Sequence, residues 1–192
     1  HNGNLTRGAF MTDAGLWHRP WYFPKAGETI ETAYIREAGR VRETVGVCDV
    51  SSLGKIAVQG PDSGEFLNRV YVNGFGKLPV GKARYGVMLR DDGMVMDDGT
   101  TWRLGEDDYL MTTTTTNAGK VMVWLEELLQ TRWPELRVHL TSVSDQWAAV
   151  SVAGPKARQV IADCLIDAAV ISAEHLPFMG VTKAALKGGI SA

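Results

Sequence analysis

KARYGVMLRDDGMVMDDGT, which runs from Lys82 to Thr100, predicts a β-hairpin, and the rest of the chain can be interpreted around it. Ala83 to Leu89 alternates as one strand. Asp91-Asp92-Gly93 supplies the turn, because glycine tolerates a positive φ and a D-G pair between apolar runs is typical of hairpins. Met94 begins the return strand. The hairpin predicts at least one antiparallel sheet.

The return strand carries two adjacent carboxylates. Side chains alternate along a strand, so Met94, Met96 and Asp98 are expected on one face, and Val95 and Asp97 on the other. A carboxylate on an apolar face is expected to accept a hydrogen bond, to have a raised pKa, or to bind a ligand. The alternative is that the pair and the glycine after it form an ordinary turn in water.

Composition indicates a soluble globular protein of one large or two small domains. The chain has 192 residues, of which 45% are hydrophobic and 22% charged, with a net charge of −2. This charge gives no reason to expect nucleic acid or an anionic membrane as partner. No run is long enough for a membrane span, and no signal peptide is visible.

The two cysteines, Cys48 and Cys164, stand among apolar residues without metal-ligand spacing. We expect them to be buried free thiols, which fits a reducing compartment and a cytoplasmic location. The chain starts at His1 and ends at Ala192 without a closing element. We therefore expect a fragment of a longer protein.

The fold class predicted from these patterns is α+β, with mixed or antiparallel sheets and flanking helices. A helix is expected over Glu28–Val45, with a buried face formed by Ile30, Tyr34, Ala38, Val41 and Val45. A second helix is expected over Asn117–Arg132, with Asn117 as its N-cap. Strand, Gly-Pro and helix occur in this order twice, at Gly60-Pro61 and at Gly154-Pro155, which indicates two related halves.

We expect three segments. Residues 1–50 hold an N-terminal arm, an aromatic loop and a helix, residues 51–140 hold an α+β subdomain with the hairpin, and residues 141–192 begin a second, truncated subdomain. The arm, residues 1–15, is expected to be loose. Residues 16–24 combine four aromatics with two prolines, so a stiff loop is expected that either plugs a core or lines a flat ligand.

Several site classes are excluded by missing motifs. There is no G-x-G-x-x-G, no phosphate loop and no G-x-S-x-G elbow. The histidines lack metal-ligand spacing, so we expect no metal. A carboxylate with hydroxyl and aromatic neighbours remains, which fits proton handling on an organic ligand better than hydrolysis.

Three segments together resemble the aminomethyltransferase (glycine-cleavage T-protein) superfamily. They are RETVGVCDVSSLGKIAVQGPDSGEFLNRV (42–70), GKARYGVMLRDDGMVMDDG (81–99) and WAAVSVAGPKARQVIADCL (147–165). GLWHRPWYFPKAGE (15–28) and YLMTTTT (109–115) make the chain more similar to the C-terminal region of sarcosine oxidase α subunits and dimethylglycine dehydrogenases. The resemblance implies the T-protein folate-binding fold, incomplete at the C-terminus.

The resemblance also implies a tetrahydrofolate site. Asp98, the second Asp of the D-D pair, would assist proton transfer as the folate nitrogen captures a one-carbon unit. Tyr85 would contact the pterin, and Met111, Thr113 and Thr114 would pass along its polar edge. Asp49 would be structural.

Two departures from the T-protein affect this implied site. The T-protein has an asparagine where the threonine run stands, and the folate-binding glutamate of the family lies past Ala192. FAD, FMN and NAD would bind other parts of the parent complex. The expected partners are folate and the other subunits of a heterotetrameric sarcosine oxidase.

Three functions remain open at this point. The first is the folate-dependent one-carbon transfer domain of sarcosine oxidase. The second is a stand-alone aminomethyltransferase, which would need a lipoyl carrier and against which the aromatic segment and the threonine run argue. The third is a non-catalytic folate-binding or assembly module, against which the D-D pair argues.

Overall fold

The computed structural model describes residues 2–188, which form two compact units. One unit contains residues 53–147 and 172–182, and the other contains residues 2–52, 148–171 and 183–188. In this division residues 148–171 group with the N-terminal residues, and the three segments expected from the sequence stay a prediction. No helix of the described part is long and apolar enough to cross a bilayer.

The first unit is built on a five-stranded antiparallel sheet of order β5-β6-β7-β4-β8. Its strands are β4 (Gly54–Gln59), β5 (Lys82–Leu89), β6 (Val95–Gly105), β7 (Asp108–Thr113) and β8 (His139–Ser142). β5 and β6 are the predicted hairpin, and Gly93 in its turn has φ +80°. The Asp97-Asp98-Gly99 segment lies within β6, so the prediction of a turn there is wrong.

Two helices cover one face of this sheet. They are α3 (Ser63–Val70) and α4 (Ala118–Glu127), the latter preceded by a 3-10 turn (Thr115–Asn117) and followed by a π-helical turn (Leu128–Arg132). The core between helices and sheet contains fully buried apolar side chains, among them Phe66, Met88 and Met111. Burying such side chains contributes roughly 1.5–3 kcal/mol each, so this face holds the unit together.

A β-bulge shifts the pairing of β5 and β6 and reverses the predicted arrangement of the carboxylates. Met88 pairs with Asp97, but the next residue, Leu89, pairs with Val95, so Met96 is an extra residue on β6. Beyond the bulge Asp97 shares the core face with Met88 and is only 3% exposed. The prediction that Asp98 lies with the two methionines is therefore wrong.

The described part of the second unit contains two small sheets, three α-helices and a short 3-10 helix (Ala168–Ile171). The strands are β1 (Phe10–Ala14), β2 (Trp17–Tyr22), β3 (Gly46–Asp49) and β9 (Val150–Ala153), paired antiparallel as β1-β2 and β3-β9. The helices are α1 (Asn2–Thr6), α2 (Ile30–Glu43) and α5 (Ala157–Cys164). The strand–Gly-Pro–helix motif occurs once in each unit, as β4–α3 and β9–α5, and its glycines have φ +126° (Gly60) and +115° (Gly154).

Several local predictions for this unit are wrong. The arm is not loose, because α1 and β1 form within it, and the aromatic segment is a strand rather than a loop. A two-stranded sheet consists only of edge strands, which tolerate proline. Trp21 is 58% exposed, so it does not plug a core. In α2, Ala33 is the buried residue and Tyr34 is exposed.

The cysteines are free but exposed, which corrects the prediction of buried thiols. Cys48 lies on β3 opposite Ser151, which is also exposed. Cys164 ends α5, a helix without a fully buried residue. Apolar neighbours in the sequence predicted burial, but these elements are covered on too few sides to enclose a thiol.

Candidate functional site

Asp98 and Tyr85 meet on the face of the sheet opposite the helices. Asp98 pairs with Val87 on β5, and Tyr85 is the diagonal neighbour two residues earlier. The Tyr85 hydroxyl donates a hydrogen bond to Asp98 Oδ2 at 2.6 Å. Tyr85 is 50% exposed and Asp98 is partly exposed, so both are accessible from this side.

The hydrogen bond to Asp98 raises the pKa of the Tyr85 hydroxyl above its ordinary value of 10.0, with smaller contributions from desolvation and the nearby carboxylate charges. The phenol therefore stays protonated at neutral pH and acts as a donor. The site presents an aromatic ring beside a carboxylate that can accept protons from an amine. This set of groups fits a flat, amine-containing ligand.

Asp97 points in the opposite direction and is enclosed by donors. Thr114 donates to it twice, from its main-chain N–H to Oδ2 at 3.0 Å and from its hydroxyl to Oδ1 at 2.7 Å. The amide of Asn117 donates to Oδ1 at 3.4 Å and to the carbonyl of Met96 at 3.2 Å. These contacts join β6 to the end of β7 and the start of α4.

A buried phenol lies on the same side as Asp97. Thr101 donates its hydroxyl hydrogen to Tyr71 Oη at 3.2 Å. Burial is the main cause that raises the pKa of Tyr71 to about 12, and the charges of Asp97 and Asp98 add to it. Tyr71 also packs over Gly86, where a Cβ would lie 2.6 Å from its ring, so a side chain at this position would disturb the strand beneath Tyr85.

The structure does not bring all predicted site residues together. Met111 and Thr113 lie on the helix-covered face, and the Met111 side chain is fully buried in the core. Thr114 contacts Asp97 rather than Asp98. The assignment of these three residues to folate binding stays a prediction. Asp49, predicted to be structural, accepts from Ser51 N–H at 3.0 Å and Asn4 at 3.3 Å, and hydrogen bonds from Ser51 lower its pKa.

A cavity of about 630 Å³ lies beside the hairpin turn, away from the Tyr85–Asp98 pair. Its lining residues are Arg90, Asp91, Asp92, Val95, Met96, Asn117, Lys120 and Trp124. Arg90 is paired with Asp92, and Asp91 with Arg132, so most of its charges are already balanced. The accessible pair of Tyr85 and Asp98 is the better candidate, because carboxylate, phenol and aromatic surface converge there.

The enclosure of Asp97 and the contacts of Asn117 were not predicted from the sequence. Asn117 was predicted to cap α4, but its side chain makes no capping bond and reaches Asp97 instead. The sequence pattern at the start of a helix identifies an asparagine only as a possible N-cap. The contact with Asp97 spans 20 positions and depends on the sheet register, which local pattern does not reveal.

Comparisons with known proteins are consistent with this architecture. The model of the GCVT N-terminal domain family matches residues 1–191. The sarcosine oxidase α subunits of Corynebacterium sp. (strain P-1) and Rhizobium meliloti (strain 1021) are 51% and 49% identical over 192 and 190 residues. These matches cover 100% and 98% of this chain but only 20% and 19% of the relatives, so the chain spans about a fifth of their length.

Among solved structures, the glycine cleavage system aminomethyltransferase T of Bartonella henselae superposes with a TM-score of 0.77 at 22% identity. The superposition covers 97% of this chain and 46% of that protein. At this identity the likeness concerns the fold alone. It confirms the α+β class and the aminomethyltransferase fold predicted from the sequence. The chain contains a part of that fold.

Proposed function

The chain belongs to the GCVT N-terminal domain family, and on this premise we propose that it is the tetrahydrofolate-dependent one-carbon transfer region of a sarcosine oxidase α subunit. The reaction proposed is capture of the methyl carbon of oxidised sarcosine as 5,10-methylenetetrahydrofolate, with release of glycine. The high identity to α subunits of sarcosine oxidase supports this function over a stand-alone aminomethyltransferase.

The observation that carries the proposal is the accessible Asp98 carboxylate with the Tyr85 hydroxyl at 2.6 Å. Asp98 is the proposed catalytic residue, because a carboxylate within reach of an amine can take and return its proton. Tyr85 is proposed to bind the folate, since its half-exposed ring offers a surface on which a pterin can stack. Of the four residues predicted to bind folate, Tyr85 is the one whose side chain lies beside Asp98.

Tetrahydrofolate supplies two amine nitrogens that bond to the one-carbon unit. Oxidation of sarcosine leaves a methylene group doubly bonded to the glycine nitrogen. Two new nitrogen–carbon bonds form, the bond to the glycine nitrogen breaks, and the two displaced N–H protons end on that nitrogen. Asp98 accepts a proton from the attacking amine and returns it to the departing glycine, which balances the transfer.

The remaining chemistry is assigned to other parts of the complex. We propose that FAD, FMN and NAD bind outside this chain and that the electrons of sarcosine oxidation are accepted there. The partners proposed for the chain are the other subunits of a heterotetrameric enzyme and small-molecule folate. A cytoplasmic location fits the free, exposed thiols of Cys48 and Cys164.

The test compares the complete gene product, with its co-purifying subunits, as wild type and as the Asp98→Asn variant. Sarcosine oxidation, tetrahydrofolate binding by calorimetry and formation of 5,10-methylenetetrahydrofolate are measured separately. We expect Asp98→Asn to oxidise sarcosine and bind folate like the wild type. Formation of the methylene product should fall by about 10²–10⁴-fold, with formaldehyde released instead.

Asp91→Asn is the matched control, because Asp91 lies in the same hairpin and its side chain is 92% exposed at the turn. It should resemble the wild type in all three measurements. If Asp98→Asn forms the methylene product at the wild-type rate, Asp98 is not the proton-transfer residue. If the wild-type complex binds no reduced folate, the proposed function is wrong.

A further inference from the structure

We propose that Asp97, held by Thr114 and Asn117, is the positioning residue that fixes Asp98 for proton transfer. The inference rests on the proposed function of Asp98. It assigns Thr114 to the support of the carboxylate pair rather than to direct contact with the ligand.

The first observation is that Asp97 is nearly fully buried and bonded to donors from two other segments. Thr114, just past the end of β7, supplies a main-chain N–H and a hydroxyl, and Asn117 supplies an amide. An N–H and an amide NH₂ can only donate, so both carboxylate oxygens serve as acceptors. The Asp97 side chain therefore has one defined orientation.

The second observation is that this arrangement lies directly after the β-bulge. Met96 is the residue without a partner on β5, and the ladder there does not fix the strand by itself. Asn117 donates to the carbonyl of Met96 as well as to Asp97. The contacts from Asn117 and Thr114 thus hold β6 at the point where its main-chain pairing is interrupted.

The position of Asp97 determines the position of Asp98. The two residues are consecutive, and their side chains leave the strand on opposite faces. A rotation or shift of the main chain at Asp97 therefore moves Asp98 relative to Tyr85, to which it is bonded at 2.6 Å. Because a displacement of about 1 Å can cost up to 10²-fold in rate, support of Asp97 on the helix-covered face influences the chemistry of Asp98 on the other face.

The Thr114 hydroxyl is occupied by Asp97. Its hydrogen is donated to Asp97 Oδ1 at 2.7 Å, so it cannot also be donated to a ligand. If Thr114 acted on folate directly, removing the hydroxyl would weaken folate binding. If it acts through Asp97, folate binding should persist while the transfer slows.

The experiment compares Thr114→Val with Thr114→Ser in the complete gene product. Valine keeps the shape but loses the hydroxyl, whereas serine keeps the hydroxyl. We expect Thr114→Val to form 5,10-methylenetetrahydrofolate about tenfold more slowly with an unchanged dissociation constant for tetrahydrofolate. Thr114→Ser should stay within about twofold of the wild type in both quantities.

A second readout needs no folate. The pKa of Tyr85 is raised by its bond to Asp98, so loss of the positioning contact should lower that pKa towards 10.0 in Thr114→Val and not in Thr114→Ser. A spectrophotometric titration, with Tyr85→Phe to identify the signal, measures it. If Thr114→Val does not accumulate as folded protein, Asn117→Ser replaces it, with the same expected result.

The proposal is overturned if the valine and serine variants agree in transfer rate and in the titration of Tyr85. It is also overturned if Thr114→Val weakens folate binding while the transfer rate from bound folate is unchanged. Failure of the proposed function is a distinct outcome: Asp98→Asn would then not affect transfer. The Tyr85 titration would still report whether Thr114 positions Asp98.

Discussion

At the scale of single residues, Asp97 and Asp98 show how neighbours of one type acquire different roles. Alternation along β6 turns one carboxylate into the core and the other towards solvent. The buried one is surrounded by donors, which removes the cost of placing a polar group away from water. The accessible one keeps an oxygen available beside a phenol, which is the condition for exchanging a proton with a ligand.

The titration of Tyr85 tests this arrangement directly. The hydrogen bond from Tyr85 to Asp98 favours the protonated phenol and raises its pKa. We expect Asp98→Asn to bring the pKa of Tyr85 back towards 10.0, measured as phenolate absorbance against a Tyr85→Phe reference. Tyr109 is the internal control, since burial is the main cause that raises its pKa and the charges that act on it are those of Arg103 and Asp107. An unchanged Tyr85 titration would contradict the observed bond.

At the scale of elements, local signals predicted the existence of most strands and helices but not which faces they bury. The hairpin and both strand–Gly-Pro–helix motifs follow from turn glycines and short periodic runs, which act within a few residues. The β-bulge cannot be predicted from such local signals, because it depends on how β5 and β6 pair. Because of this bulge, Asp97 is buried rather than Asp98. The candidate site was thus predicted at Asp98 and Tyr85, while the contacts of Asp97 were not.

The buried face of α2 was missed for a related reason. Periodicity favoured Ile30, Tyr34 and Ala38, but the observed buried residue is Ala33. The N-terminus of this helix is fixed by polar contacts instead. Thr29 and Thr32 form a capping box, and Arg36 bonds Glu28 and the carbonyl of Phe23. The spacing of apolar residues gives no information about such polar contacts, so the pair of Glu28 and Arg36 was not predicted.

The pair of Glu28 and Arg36 predicts an acid-sensitive helix start. Hydrogen bonds from Arg36, and a further one from Lys25 N–H, lower the pKa of Glu28 from 4.5 to about 2. A carboxyl group with a lowered pKa stabilises the folded state above its ordinary pKa, and this contribution disappears as the pH falls towards the folded value. The wild type should therefore exceed Glu28→Gln in stability at neutral pH, and the difference should vanish between about pH 4.5 and 2.

Urea denaturation of both proteins across this range measures the free energy of unfolding. Glu43→Gln provides the control at the other end of α2, where the contact of Glu43 with Arg40 is 3.8 Å long and largely exposed. Exposed pairs of this kind contribute little to the free energy of unfolding, so Glu43→Gln should be as stable as the wild type at each pH. A constant difference between wild type and Glu28→Gln down to about pH 2 would show that ionisation of Glu28 does not stabilise the helix start.

At the scale of the whole molecule, apolar burial is distributed unevenly between the two units. The described core cluster lies within residues 53–147, between the five-stranded sheet and helices α3 and α4. The other unit has two-stranded sheets, and its helices α1 and α5 carry no fully buried residue. Isolated two-stranded sheets are marginal in water, whereas a larger sheet packed on helices is independently stable.

This contrast predicts an uneven pattern of amide hydrogen exchange in the chain of 192 residues. Amides in β4, β6 and β7 should exchange slowest, because their opening requires exposure of the core. Those in the β1-β2 and β3-β9 sheets should exchange roughly 100-fold faster or more, by local opening. Peptide-resolved exchange followed by mass spectrometry makes the comparison. Equal protection in both units would mean that they unfold as one cooperative body, and the support of Asp98 would then depend on the entire chain rather than on the sheet that carries it.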